Sequence, residues 1–205
     1  KKITKERIYL GVNLNKEELL KKEKKADKRL NIFNVILNEE EIKFLEEIKR
    51  DFSKEPKENY ENRYESFCSL FTYDSTGIEG NTLTLSETSF LLFEGIVPKE
   101  KSLREINETI NHKRAFDYMI SYGGDITKEF ILKLHELVVL NTLRQDLIHQ
   151  IGRYRTVQVF VGGSIPPKAS DVPKEIARLL KWYSINKKKL HPLVLASYFH
   201  TEFEK

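Results

Sequence analysis

The stretch Ser75-Thr76-Gly77-Ile78-Glu79-Gly80-Asn81 places a carboxylate where a helix should end. Gly80 suits the position just past a helix C-terminus, because glycine takes a left-handed backbone there without steric cost. Glu79 then sits where the helix macrodipole repels an anion. Tyr64, Phe67, Phe71 and Ile78 are expected to form one apolar stripe. At about 100° per residue, Ser75 falls inside that stripe and Glu79 at its margin. A carboxylate set against both burial and dipole demands a cation opposite it. No residue of the chain can be assigned that part. A surface glutamate at a fraying helix end is the alternative, and on these residues alone it stays open.

Other chemistry is sparse. The sequence has no G-x-G-x-x-G, no Walker loop, no G-x-S-x-G and no H-E-x-x-H. His135-Glu136 begins the last of these, but Val139 stands where the second histidine belongs. One cysteine and five scattered histidines offer no metal-binding spacing. His200 shares a face with Ala196 and Phe203 and is expected as a core histidine bonded to backbone.

The elements that must position these residues read as helices. Asn38 with Glu41 forms a capping box before Ile42, Leu45, Ile48 and Phe52. Thr84 with Glu87 opens a helix that runs to Gly95. Ser102 with Glu105 opens another, with Leu103, Ile106, Ile110 and Ile120 inward. Asp125 or Thr127 starts the next, with Ile131, Leu134 and Val138 as its stripe. Ile176, Leu179, Leu180 and Tyr183 mark a further helix. Pro192 at a first-turn position starts the last, with Ala196, Phe199 and Phe203 inward. Between these, residues 154–161 alternate, with Val157, Val159 and Val161 on one side and Gln158 and Phe160 on the other. Gly162-Gly163 can turn such a strand into a hairpin, and Pro166-Pro167 cuts the return arm short. The expected fold is therefore mainly α with one small β-hairpin. Its expected parts are a Lys-rich helical segment at 1–55, a middle region at 56–124 and a core at 125–205.

Composition narrows the function classes. At 205 residues, 40% hydrophobic, the chain can bury a sizeable core. No apolar run approaches the roughly 20 residues that cross a bilayer, and no signal-peptide pattern opens the chain. A single Cys68 fits a reducing compartment, so the cytoplasm is the expected location. Residues 1–30 carry eleven Lys/Arg and five Asp/Glu, a balance of +6. Against +4 overall, the body is left at −2, so a basic surface for nucleic acid is not expected there.

Three motifs in order resemble those of the Fic (Fido) family. Ser75 to Asn81, as S-x-x-x-E-G-N followed by Leu83-Thr84, is similar to the inhibitory-helix motif of members whose inhibitor precedes the core. Gly152 to Val159, followed by Val161-Gly162-Gly163-Ser164-Ile165-Pro166-Pro167, resembles the family's flap. His191-Pro192 with Ala196, His200 and Phe203 resembles the helix that leads into the active-site loop. The resemblance covers roughly residues 60 to 205. The signature H-x-F-x-[D/E]-G-N-G-R-x-x-R is not in these residues, and by the spacing after His200 it is expected to begin about two residues beyond Lys205. His191-Pro192 is a decoy for it, because Leu193-Val194-Leu195 follows. The last helix also ends without a stop signal, so a longer natural chain is the favoured expectation.

The resemblance implies a protein adenylyltransferase, which moves AMP from ATP, with Mg2+ on the phosphates, to a Tyr, Thr or Ser hydroxyl of a target protein. The catalytic residues belong to the missing signature, so the 205 residues alone are expected to be inactive. Glu79, with Ser75 one turn earlier, is implied to pair with the signature's second arginine and keep ATP out of its productive pose. Some relatives use the same glutamate for AMP removal. Val161, Gly162, Gly163 and Ser164 are implied to lie near ATP, together with Glu79. Thr156, Val157, Gln158 and Val159 are implied to dock an extended target segment along an open strand edge. A homodimer is allowed, and a membrane partner is not expected. Two rivals remain: a non-catalytic helical module that binds a peptide at the flap edge, and a helix-turn-helix DNA binder suggested by a pI near 8.9.

Overall fold

Reciprocal capping boxes set four helix starts among the described residues, one at Asn15 with Glu18 and three further along. The backbone N–H of Asn38, Thr84 and Ser102 each donates to the glutamate three residues on, at 2.7, 2.7 and 2.9 Å. Each glutamate N–H donates back to the capping side chain, at 2.9, 3.2 and 3.2 Å. Two otherwise orphaned amides are satisfied at each start, so the chain enters the helix at a fixed residue.

The computed structural model describes residues 15–22, 36–160 and 166–204. Residues 16–22 are helical. The helices that follow are α1 (Glu39–Ser53), α2 (Tyr60–Ile78), α3 (Leu85–Ser89), α4 (Leu103–Ser121), α5 (Lys128–Val139), α6 (Val172–Asn186) and α7 (Pro192–Phe203). A π turn, Phe90–Glu94, continues α3 and stops at Gly95 in left-handed conformation, φ 69°. Thr127, through its side chain, is the N-cap of α5. The fold is mainly α, and among the described residues there is no strand.

By contact the described residues fall into two units. One is Glu55–Trp182; the other joins the segments up to Lys54 and Tyr183–Glu204.

In the first unit, α2 and α4 run antiparallel and are tied at three levels. Tyr64 Oη donates to Asp117 Oδ1, which shares its carboxylate with Lys113 Nζ at 2.7 Å. Burial first, and then the bond to Asp117, push the Tyr64 phenol up to about 12. In the middle, Thr72 Oγ1 and His112 Nδ1 lie 2.9 Å apart, and burial holds His112 below its usual pKa. At the far end, Asn81 Nδ2 donates to the Glu105 carbonyl at 3.0 Å. Helix α4 then fixes α5 through Asn111, whose Nδ2 donates to the carbonyls of Val138 and Leu140. Leu83, Leu91 and Ile106 form an apolar cluster beside these ties, with Ile110 packed against it.

The inward stripes differ from those the sequence predicts. On α2 the buried line is Cys68, Thr72 and Thr76, spaced by four, with Ser69 beside it. Ile78 is 84% exposed, and Phe67 and Phe71 are also exposed. The aromatic rings stack on each other and on Phe116 at 5.6–5.8 Å, covering the seam from outside. Small side chains occupy the closest approach of two helices, and rings line its margin. On α4, Ile106 is buried as expected, but Leu103 and Ile120 are exposed. On α5 it is Phe130 that is buried, stacked on Tyr122 at 4.4 Å, while Val138 is exposed.

In the second unit, Ile42 and Leu45 of α1 are half-buried and Ile48 and Phe52 exposed. Leu190 and Val194 are its buried apolar residues; with Leu37, Ile42 and His191 they line a cleft of about 430 Å³. On α7, Phe199 is half-buried and meets Tyr183 edge-on at 5.8 Å, whereas Ala196 and Phe203 are exposed. His200 is not a core histidine: its side chain is 70% exposed and lies 3.2 Å from Glu204. The α7 residue that packs inward is Val194, six positions earlier.

Candidate functional site

The end of α2 is built by backbone bonds that converge on one carbonyl. Thr76 O accepts from the N–H of Glu79 and of Asn81, both at 3.1 Å, and Gly77 O accepts from Gly80 at 3.0 Å. Such a closure needs a left-handed residue, and Gly80 supplies it at φ 92°. Glu79 is the C-cap, φ −84° and ψ 4°. Its side chain is exposed, and among the described residues it has no hydrogen-bond or ion-pair partner. Burial therefore does not set Glu79 against its surroundings, as the sequence predicts; the macrodipole alone does. The difference follows from α2 burying its threonine line, which turns Ile78 and Glu79 outward. Ser75, one turn earlier, is half-buried.

Beyond Glu79 the chain is clamped to the start of α4. Asn81, 9% exposed, donates to the Glu105 carbonyl and, at 3.3 Å, to Glu108 Oε2, while its Oδ1 accepts from the N–H of Leu83. Glu105 Oε1 accepts from the N–H and hydroxyl of Thr82, at 3.0 and 2.6 Å. Its Oε2 accepts from the N–H and hydroxyl of Ser102, at 2.9 and 2.7 Å. Lys101 Nζ donates to the Thr82 carbonyl at 2.6 Å. The Thr82 and Ser102 donors hold the Glu105 carboxyl down at about 2. Sequence patterning finds Glu105 only as a capping residue and Asn81 only as the end of the S-x-x-x-E-G-N motif; their bond, and the part of Thr82, need the neighbouring helix in view.

A pH dependence follows. Free glutamate titrates near 4.3, so between that value and about 2 the unfolded chain binds the proton that folded Glu105 refuses. Stability from this group is full above the unfolded value and drains as pH falls through the folded one. Acid unfolding of the wild type is expected to steepen below about pH 4.5. Glu105→Gln is expected to start less stable at neutral pH and show a flatter acid limb. Parallel limbs in urea titrations at pH 3 and pH 6 would contradict the assignment.

The arm that leads toward the expected hairpin departs from α5. His135 Nδ1 accepts from the N–H of Gly152 at 3.2 Å, and burial lowers the His135 pKa. Lys128 lies over the Tyr154 ring at 5.8 Å. Thr156, Val157, Gln158 and Val159 form bends and extended backbone rather than a paired strand. Side chains join the two arms where a ladder is expected: Gln158 Nε2 donates to Pro166 O at 3.2 Å, and Arg155 donates to the carbonyls of Val157 and Pro167. Val161, Gly162, Gly163 and Ser164 lie outside the described residues. Among the described residues no group of three or more His, Cys, Asp or Glu could hold a metal ion.

Residues 125–205, from the start of α5 through α7, match the model of the Fic/DOC family. A Drosophila persimilis protein named protein adenylyltransferase Fic is 36% identical over 132 residues, which cover 62% of this chain and 25% of that protein. A Nematostella vectensis protein of the same name is 32% identical over 133 residues, 62% of this chain and 30% of the relative. The chain thus spans less than a third of the length of these relatives. Among solved structures, a Fic domain containing signaling protein from Bacteroides thetaiotaomicron shares the fold with TM-score 0.68 at 23% identity, over 78% of this chain and 62% of that one. A Fic family protein from Desulfovibrio desulfuricans gives TM-score 0.60 at 27% identity, over 82% and 51%. Thr156–Val159 and Val161–Ser164 lie within the Fic segment, and Ser75 and Glu79 precede it. No helix among the described residues is long and apolar enough to cross a membrane.

Proposed function

We propose that this chain belongs to a protein adenylyltransferase restrained by its own α2 helix. The observation that carries the reading is the Fic/DOC match over 125–205, joined to 36% identity with a relative named for that activity. The target hydroxyl of a Tyr, Thr or Ser attacks the α-phosphate of ATP, and pyrophosphate leaves. The catalytic histidine and the phosphate-cradling loop belong to the H-x-F-x-[D/E]-G-N-G-R signature, which these 205 residues do not contain. Mg2+ on the phosphates is part of the reading. Its ligands are not drawn from the described residues.

The chain's own contribution is restraint and docking. Glu79, exposed and unpaired among the described residues at the repulsive end of the α2 dipole, is placed to accept a guanidinium. Ser75 shares its face one turn away. Thr156, Val157, Gln158 and Val159 are the segment that would take an extended target, which must displace the Arg155 and Gln158 side chains from the Val157 and Val159 carbonyls, with Val161–Ser164 near the nucleotide. The partners are then ATP and a target protein, in the cytoplasm.

The test supplies ATP labelled on either the α- or the γ-phosphate to a chain that runs through the signature. Label should pass to protein from the α position and not from the γ position. Transfer from γ would make the enzyme a kinase. Transfer from neither, even with Glu79 removed, would leave a peptide-binding module.

A further inference from the structure

We infer that Asn81 and Glu105 are positioning residues for Glu79, holding the last turn of α2 so that its carboxylate keeps one direction. This rests on the inhibitory reading of Glu79 above. Glu79 has no hydrogen-bond or ion-pair partner of its own among the described residues, so what this part of the chain fixes is the backbone from which its side chain departs. That turn closes through the Asn81 N–H on Thr76 O at 3.1 Å. The Asn81 side chain, nine-tenths buried, anchors this closure to the Glu105 carbonyl. The next residue, Thr82, is gripped by the Glu105 carboxylate through both its N–H and its hydroxyl.

The same carboxylate caps α4 through Ser102. One side chain therefore fixes both the exit of α2 and the entry of α4. Its two oxygens accept four hydrogen bonds, all from N–H and O–H donors. An amide in its place turns one acceptor into a donor that faces donors. Helix ends otherwise fray over their last turn, where backbone bonds are few and solvated. A frayed α2 end spreads the Glu79 carboxylate over several directions and lowers the population of any one pose.

The role assigned to both residues acts through Glu79, so the test must separate positioning from mere stability. Asn81→Ala and Glu105→Gln are made in a chain that runs through the signature, each with Glu79 intact and with Glu79→Gly. Incorporation of AMP from α-labelled ATP is read alongside Tm. With Glu79 intact, each variant should raise incorporation several-fold, short of the level of Glu79→Gly. In the Glu79→Gly background neither should raise it further. Unchanged or lower incorporation in both backgrounds, with Glu79→Gly itself active, would overturn the positioning role and leave the inhibitory reading standing. If Glu79→Gly alone fails to raise incorporation, the inhibitory reading falls, and this inference with it.

Discussion

In a chain that runs through the catalytic signature, Glu79→Gly raises incorporation of AMP from α-labelled ATP about ten- to a hundredfold over wild type, the shift commanded by a charge-assisted bond of about 1.5–3 kcal/mol. The substitution is clean. Glu79 is exposed, and its side chain has no partner among the described residues, so folding stability should move by no more than about 0.5 kcal/mol. Its backbone, φ −84° and ψ 4°, is open to glycine, and loss of the anion relieves repulsion from the α2 dipole. A gain in activity at constant Tm would therefore support the proposed contact of Glu79 with an arginine outside the described residues. Ser75→Ala should give a smaller gain, since it removes a neutral group at one turn's distance. Equal incorporation by wild type and Glu79→Gly would remove the inhibitory assignment.

The signals legible in the sequence were those that depend on a few adjacent residues. Asn38/Glu41, Thr84/Glu87 and Ser102/Glu105 are reciprocal boxes in the structure, and Gly80 and Gly95 take left-handed backbone where the pattern ends. These arise within one turn of chain and need no tertiary partner. Stripes were less legible. Hydrophobicity alone puts Phe67, Phe71 and Ile78 inside, yet the inward line of α2 is Cys68, Thr72 and Thr76. Close helix approach favours small side chains, and Thr76 satisfies its hydroxyl on Thr72 O at 2.8 Å, so polarity does not bar it from burial. His200 was misplaced for a related reason: with Pro192 starting α7, the inward position falls on Val194 rather than on the Ala196 face. The place of Glu79 at the end of α2 could be read from Gly80. Its clamp could not, because Asn81 and Glu105 lie 24 residues apart and meet only through the antiparallel register of α2 and α4.

That register makes Asn111 the most sensitive point in the scaffold, and Asn111→Ala is expected to cost about 2–4 kcal/mol of folding stability. Asn111 is 2% exposed on α4. Its Nδ2 donates to Val138 O at 3.2 Å and Leu140 O at 2.5 Å, carbonyls at the end of α5 that have no helical donor ahead of them. Alanine leaves both part-buried carbonyls without that donor beside a small cavity. Cavity and hydrogen bond are separated by Asn111→Asp, which keeps the volume but turns an oxygen toward two carbonyl oxygens. If the hydrogen bonds matter, Asp should be at least as damaging as Ala at pH 7, with part of the loss recovered near pH 4 as the carboxyl protonates and can donate. If packing alone matters, Asn111→Leu, which fills the volume without donating, should stay near wild type. Urea midpoints, with hydrogen exchange of the Lys128–Val139 amides, distinguish the two. Asn62, on the exposed side of α2, is the control position, where alanine should change stability by less than about 0.5 kcal/mol. Since α5 opens the Fic segment and carries His135 to Gly152, loosening its C-terminus should also release the 152–160 arm. Exchange of the Gly152 amide would then rise together with the α5 amides, and independent rates would show that the arm is held by Arg155 and Gln158 alone.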